Sequence, residues 1–156
     1  MRLMSRCTLS LVFLLCLPAP LLAQELAATS GAHAMTFVAI DRLQWSPIDV
    51  PGFEPGMRIA VLSGDPASDG SYTIRLAFPD GYRFPSHWHP QAENLTVLMG
   101  TFLLGEGTEE DPDAMTTYHP GDYLHIPPRS PHYGGATGST VVQLHGTGPF
   151  EIMLSE

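Results

Sequence analysis

The sequence predicts a single all-β domain whose short strands close into a sandwich or a barrel. Its 156 residues are enough for one domain and few for two. The 15 Gly and 15 Pro are spread along the chain, which is typical of many tight turns rather than of a low-complexity tract. We find no pattern of a long amphipathic helix, and a sheet without covering helices buries its apolar face against another sheet or against itself.

Short runs rich in β-branched and aromatic residues predict six strands. They span 36–40, 57–62, 72–78, 94–104, 123–126 and 140–145. The segments between them carry Gly, Pro and Asp, as in 64–66, 79–81 and 120–122, which is the chemistry of tight turns. Periodicity alone leaves a jelly roll and an immunoglobulin-like sandwich open, although the cysteine pair typical of the latter is missing from these strands.

Residues 1–23 have the features of a cleavable signal peptide. Arg2 and Arg6 supply a basic start, residues 9–17 form a short apolar segment, and small residues lead to an expected cleavage near Ala23. The mature protein is therefore expected to be periplasmic or secreted.

Two alternatives to a cleaved signal peptide are a membrane anchor and a lipid anchor. A membrane anchor is disfavoured because the apolar run ends at Pro18, short of the roughly 20 residues that span a bilayer. A lipid anchor on Cys16 is disfavoured because the preceding Leu15 is bulkier than the small residue usual there. After the signal we expect a flexible N-terminal arm over 24–35 and the folded domain over 36–156.

The composition of the mature chain restricts its possible metal ligands and its classes of binding partner. Both cysteines, Cys7 and Cys16, lie in the expected signal, so a metal site must use histidine and carboxylate ligands. Cleavage removes Arg2 and Arg6 but no acid, so the formal charge of −9 becomes −11. An anionic surface repels phosphate backbones and acidic bilayers, so we expect a small-molecule partner and neither nucleic acid nor membrane.

One segment has the spacing of a metal-binding site. His87 and His89 are separated by one residue, and since side chains alternate faces along a strand, both imidazoles point to the same side. Glu93 continues this alternation beyond a bend at Pro90 and can add a carboxylate to the two nitrogens. This donor set suits Mn, Fe, Ni, Zn or Cu.

These residues carry a family resemblance. The segment 81–100 resembles the first cupin motif at every spacing; its matching positions are Gly81, His87, His89, Glu93 and Gly100. The segment 121–132 resembles the second cupin motif, with Pro127 and the terminal His132 in register. Two positions depart from it, since Arg129 stands where Gly is usual and Ala136 where Asn is frequent.

The resemblance covers residues from about 36 to about 150 and implies a cupin jelly-roll β-barrel. It also implies that His132 joins the first motif to bind one divalent transition-metal ion, with open positions left for water or substrate. The expected metal ligands are therefore His87, His89, Glu93 and His132. A homodimer through an outer sheet is a further expectation from the family.

Four other residues are candidates for the wall of a substrate pocket: Arg75, Tyr133, Gln143 and His145. Pockets carry few convergent polar groups, so each is weighed against an ordinary surface or core role. The face of the last strand remains open, because its apolar alternate residues, at 142 and 144, are the usual choice for a core.

The motifs leave two classes of function open. The first is a metal-dependent enzyme, with dioxygenation as the family's frequent chemistry, in which Glu93 is either a permanent ligand or a base that detaches to take a proton. The second is a module that binds a metal or a small molecule without turnover. We recognise no nucleophilic triad in the sequence, so any catalysis is expected to run through the metal, and fold analogy cannot decide between the classes.

Overall fold

A computed structural model describes residues 35–155. The predicted signal peptide and all but the last residue of the predicted arm lie outside these residues. The described chain contains two 3-10 helices, Ile40–Arg42 and Pro112–Ala114, and nine strands. The strands are β1 Ser46–Pro47, β2 Arg58–Ser63, β3 Gly70–Phe78, β4 Arg83–Trp88, β5 Glu93–Glu106, β6 Thr116–Tyr118, β7 Tyr123–Ile126, β8 His132–Gly148 and β9 Met153–Leu154. Among residues 35–155, neither helix has the length and apolar character needed to cross a bilayer.

Every strand pairing is antiparallel, and the two long strands β5 and β8 run side by side through the middle of the fold. The second half of β8 pairs with β3, and its first half pairs with β4. In the same way the first half of β5 pairs with β7, and its second half with β6. One layer is therefore β1-β2-β3-β8-β5-β7 and the other β9-β4-β8-β5-β6, so the sheet curls upon itself.

The two long strands change layer at glycines. Along β5 the register with β8 shifts on either side of Met99, next to Gly100, whose φ is +78°. A Cβ at Gly100 would collide with Ser139 and Thr140, so only glycine fits there. Bulges of this kind bend a strand, which is how one strand serves both layers.

The core fills the space between the layers, and on β3 it follows strict alternation. On β3 the buried side chains are Tyr72, Ile74, Leu76 and Phe78. They pack in one cluster with the inward residues of the other strands, including Phe84, Leu95, Val97, Phe102, Val142 and Leu144. Each fully buried large apolar side chain contributes roughly 1.5–3 kcal/mol, so this cluster holds the curled sheet closed.

The all-β prediction is confirmed. The predicted strands 57–62, 72–78, 94–104 and 123–126 match β2, β3, β5 and β7, and 140–145 lies inside the much longer β8. The predicted strand 36–40 is wrong: residues 36–39 have no regular structure, and Phe37 is 88% exposed. Its apolar residues are not part of the core formed by the described residues, and strand propensity becomes a strand only where neighbours cover it.

Candidate metal centre

The four predicted ligands lie at strand ends that the sheet brings together. His87 is on β4 and His89 just after it, Glu93 begins β5, and His132 begins β8. His87 and His132 are direct partners in the β4–β8 ladder, which joins the two motifs across 45 residues of chain. All four side chains are buried, and Trp88 between the histidines is partly exposed, as strand alternation predicts.

The reactive atoms of these residues converge. One ligand atom from each of the three histidines lies within 4.8 Å of the others, a grouping that can hold one metal ion. The Oε2 atom of Glu93 lies 3.2 Å from Nε2 of His89 and 3.6 Å from Nε2 of His132. The structure therefore places the carboxylate beside the histidine cluster.

Hydrogen bonds to backbone carbonyls fix the orientation of all three imidazoles. The Nδ1 atoms of His87, His89 and His132 lie 2.8, 2.7 and 3.0 Å from the carbonyl oxygens of Pro85, Glu151 and Ser130. Because a carbonyl only accepts, each Nδ1 carries the proton and donates it. Each Nε2 then keeps a free lone pair, the form in which histidine binds metals, and the carbonyl holds the ring in place.

Burial sets the charge of the site when no metal is bound. Desolvation lowers the pKa of His87 to about 3, with the neighbouring His132 adding to the effect, and lowers that of His89 to about 4. Desolvation also lowers the pKa of His132 and raises that of Glu93 to about 8. Near neutral pH the contacts of Glu93 therefore join uncharged groups rather than ions. Three free nitrogen lone pairs and a carboxyl in one buried spot fit a divalent cation, whose charge favours the ionised carboxylate.

A cavity with about 40 Å³ of space for the centres of water-sized molecules leads to these residues. Of its 18 described lining residues, 14 are apolar, and the remaining four are the predicted ligands. The apolar lining is Ile48, Phe53, Met57, Leu76, Phe78, Phe84, Leu95, Phe102, Leu104, Ile126, Val142, Leu144, Phe150 and Ile152. Among the described lining residues, polar side chains therefore lie only at the candidate metal centre.

The segment after β8 also packs against the site, which the sequence analysis missed. The ring of Phe150 stacks on His89 with centroids 5.0 Å apart and planes at 14°. The next residue, Glu151, supplies the carbonyl that accepts from His89. Phe53 from the loop before β2 meets His87 edge-on at 5.0 Å. The aromatic character of Phe150, two residues after β8, was the one signal available, and it did not indicate a direction.

The four pocket-wall candidates lie elsewhere. Arg75 and Gln143 pair across β3 and β8 on the outer face, where Nε of Arg75 donates to Oε1 of Gln143 over 3.1 Å. His145 is exposed on the same face, because the alternate residues of β8 fill the core. Tyr133 is buried, but its hydroxyl donates to the Asp111 carbonyl over 3.1 Å. None of the four is among the described residues that line the cavity.

The departure at Arg129 has a structural consequence. Arg129 has a φ of 59°, the left-handed conformation that glycine adopts without strain, and its N–H donates to the carbonyl of His89 over 2.8 Å. The backbone therefore keeps the turn of the second motif despite the side chain. The other departure, Ala136, is fully buried and donates its N–H to the carbonyl of Tyr82.

Comparisons with known proteins agree with this architecture. Residues 75–147 match the family model described as a cupin domain. A search of curated proteins found no match.

Several solved structures share the fold. The polyketide cyclase RemF from Streptomyces resistomycificus has a TM-score of 0.65 at 18% identity, covering 79% of this chain and 87% of its own. A cupin 2 conserved barrel domain protein from Rhodopseudomonas palustris has a TM-score of 0.61 at 14% identity, with coverages of 79% and 87%. A proposed acetylacetone dioxygenase from Methylibium petroleiphilum PM1 has a TM-score of 0.61 at 16% identity, with coverages of 81% and 84%.

At these identities the structural likeness establishes the fold, a jelly-roll β-barrel, and leaves the activity open. The family model covers both halves of the candidate centre, from before His87 to beyond His132. With the curled antiparallel sheet, this match shows a cupin domain over residues 75–147 and supports the assignment of the chain to the cupin superfamily.

Proposed function

We propose that this chain is a metal-dependent oxygenase that acts on a small organic molecule. One divalent transition-metal ion would be held by His87, His89, Glu93 and His132. The observation that carries the proposal is that the four polar residues of an apolar cavity are three lone-pair-bearing imidazoles and one carboxyl at a single spot. This donor set is compatible with Fe, Mn, Ni, Zn or Cu.

When bound, such an ion supplies Lewis acidity or one-electron chemistry and holds small molecules in adjacent positions. The chain's own residues do the rest. The histidines, fixed through their Nδ1–H donors, keep the site rigid, and the apolar wall excludes water from it. Glu93 is the sole carboxyl among the described lining residues, so it either stays a ligand or takes a proton from the substrate.

Dioxygen is the proposed co-substrate. When both of its oxygen atoms enter the same organic substrate, the substrate supplies all the electrons and the reaction needs no external electron donor. The similar structures named for a polyketide cyclase and a proposed acetylacetone dioxygenase support small organic substrates, though their names describe those proteins alone. A non-catalytic module that binds metal and ligand is the competing outcome of the test.

The test starts with the purified mature chain, reconstituted anaerobically with Fe(II), Mn(II), Ni(II), Cu(II) or Zn(II). We expect oxygen uptake with at least one redox-active metal on a panel of phenols, diketones and thiols. If no metal supports oxygen consumption, the oxygenase proposal fails, and binding without turnover would favour the non-catalytic module.

Metal content tests the site separately from activity. His132→Ala removes one ligand, and His145→Ala, on the exposed face of the same strand, is the matched control. We expect elemental analysis to find about one ion per chain in the wild type and in His145→Ala, with a strong loss in His132→Ala. Equal metal content in both variants would contradict the assignment of the site.

We also propose that the protein is exported, on the basis of the sequence of residues 1–23. N-terminal sequencing of the protein recovered from an expressing bacterium tests this. Cleavage near Ala23 with the mature chain outside the cytoplasm is the expected result, and an intact Met1 in the cytoplasm would contradict it.

A further inference from the structure

We propose that the cavity selects an uncharged, planar, largely apolar molecule that carries its polar atoms at one end. This inference rests on the proposed metal site and adds the class of substrate. The substrate class follows from the residues of the cavity wall, whereas the proposed function follows from the candidate metal centre.

The wall offers nothing to a charged or strongly polar substrate. All 14 described wall residues outside the four ligands are apolar. The pocket candidates that could have paired with a carboxylate, Arg75 above all, lie on the outer face. Burying an unpaired charge costs far more than a small interface repays, so phosphates, amino acids and polycarboxylates do not fit the body of the cavity.

The shape of the wall favours a flat molecule. Phe78, Phe84 and Phe102 form one aromatic cluster, with centroids 5.9 Å apart for Phe84–Phe102, 5.9 Å for Phe78–Phe102 and 6.2 Å for Phe78–Phe84. Phe53 continues it, since its ring is 6.1 Å from Phe84 with planes at 13°. Aromatic faces pack best against planar, polarisable groups, so an aromatic ring or a conjugated chain is the fitting body.

All polar partners lie at one end. The imidazoles of His87 and His132 are 4.3 Å apart between centroids, and Glu93 contacts His89 and His132. A substrate that satisfies its own polar atoms must therefore bring them together, as adjacent hydroxyls or as the two oxygens of a 1,3-dicarbonyl do. Polar atoms at the opposite end would be left unpaired, which costs binding.

The experiment compares three probes with the same chelating head and different tails. They are 4-methylcatechol, 3,4-dihydroxybenzoate with an anionic tail, and dopamine with a cationic tail. Binding to the Zn(II)-loaded mature chain is measured by titration calorimetry at physiological salt, because zinc permits binding without redox turnover. We expect both charged probes to bind at least about a hundredfold more weakly than 4-methylcatechol, because their tails are buried unpaired.

The two charged probes separate burial from long-range attraction. The mature chain has an expected formal charge of −11, so surface electrostatics alone would strengthen the binding of dopamine and weaken that of 3,4-dihydroxybenzoate. Burial of the charged tail, by contrast, weakens the binding of both probes. If either charged probe binds as tightly as 4-methylcatechol, or if 4-methylcatechol does not bind the zinc-loaded chain, the inference is overturned.

A variant tests the wall itself. Phe53 is partly buried in a loop at the cavity, so Phe53→Arg introduces a cation there, and Phe37→Arg at an 88% exposed position is the control. We expect Phe53→Arg to shift the preference toward 3,4-dihydroxybenzoate by at least about tenfold, and Phe37→Arg to leave it unchanged. Thermal melting and zinc content check that the variants fold, and the wild-type comparison decides the question if Phe53→Arg does not.

The outcomes separate the two proposals. Selective binding of 4-methylcatechol with no oxygen uptake under any metal leaves the substrate class standing and removes the oxygenase reaction. Oxygen uptake on charged substrates would leave the oxygenase reaction standing and remove the proposed substrate class. A wild-type chain that binds no zinc overturns the metal site and this inference with it.

Discussion

Metal binding is expected to expel a proton from Glu93. Burial raises the pKa of this carboxyl to about 8 in the metal-free protein, so near neutral pH it is mostly protonated. His87 and His89, with pKa values of about 3 and 4, are already neutral at that pH and release none. A bound cation requires the carboxylate, so each ion should displace most of a proton at pH 7 and progressively less as the pH rises through about 8.

The assay is titration calorimetry of the metal-free chain with Zn(II) in buffers of different ionisation enthalpy, which yields the protons released per ion. Glu93→Gln removes the group, and Glu109→Gln in the exposed loop after β5 is the control. The readout is the difference between wild type and Glu93→Gln, because it cancels protons from metal-bound water. A difference near zero at pH 7, or one that grows with rising pH, would refute the reasoning.

The same pKa gives a second readout, the stability of the metal-free chain. The native pKa of Glu93, about 8, lies above the ordinary value of 4.5, so the native state keeps a proton on this carboxyl that the unfolded state has already released. Below about pH 6.5 the three buried histidines act in the opposite sense, because burial lowers their pKa values and they take up protons mainly in the unfolded state. Above about pH 6.5 the carboxyl dominates, so stability falls by about 1–2 kcal/mol as the pH rises to about 8. In denaturant unfolding, Glu93→Gln should lack this decline, and an equal decline in the variant would contradict the burial of the carboxyl.

Three further predictions concern metal affinity and the stability of the fold. Phe150→Ala should weaken Zn(II) binding about tenfold, since it removes the ring stacked on His89, and unchanged affinity by competitive chelation would exclude that role. Gly105→Ala should destabilise the fold by about 1–3 kcal/mol in urea unfolding, because its Cβ would collide with the ring of Tyr133, and Tyr133→Ala in the same chain should recover part of the loss. Arg129→Gly should stabilise by about 0.5–1 kcal/mol by relieving its left-handed φ of 59°, and a loss in thermal melting would contradict the strain.

Local spacing carried the prediction of most candidate ligands. Two histidines one residue apart must share a face of a strand, and Glu93 follows them, so local spacing alone indicated three of the four ligands. His132 entered through the family resemblance, and the structure places it opposite His87 in the ladder. The alternation of apolar residues located β3, β5 and β7 for the same local reason.

The features that the sequence did not predict depend on contacts between distant segments, which local patterns do not encode. Strand propensity at 36–40 was present, but no neighbouring strand covers it. Arg75 and Gln143 were polar residues on predicted strands, and only the packing of Val142 and Leu144 decides that they face outward. The contacts of the segment after β8 with His89 could not be derived either, because the path of a chain end has no period.

The register of β4 is itself part of the metal centre. Phe84 pairs with Gly134 and His87 with His132, so two residues of β4 lie opposite one residue of β8 between these pairs, which is a bulge. A side chain moved by one position along a strand turns to the opposite face, so a β4 without this bulge would direct either Phe84 or His87 away from the cavity. Both face it: Phe84 packs edge-on against His87 with centroids 5.4 Å apart. The irregularity therefore allows one short strand to supply an aromatic wall residue and a ligand to the same cavity, which regular alternation at this spacing cannot do.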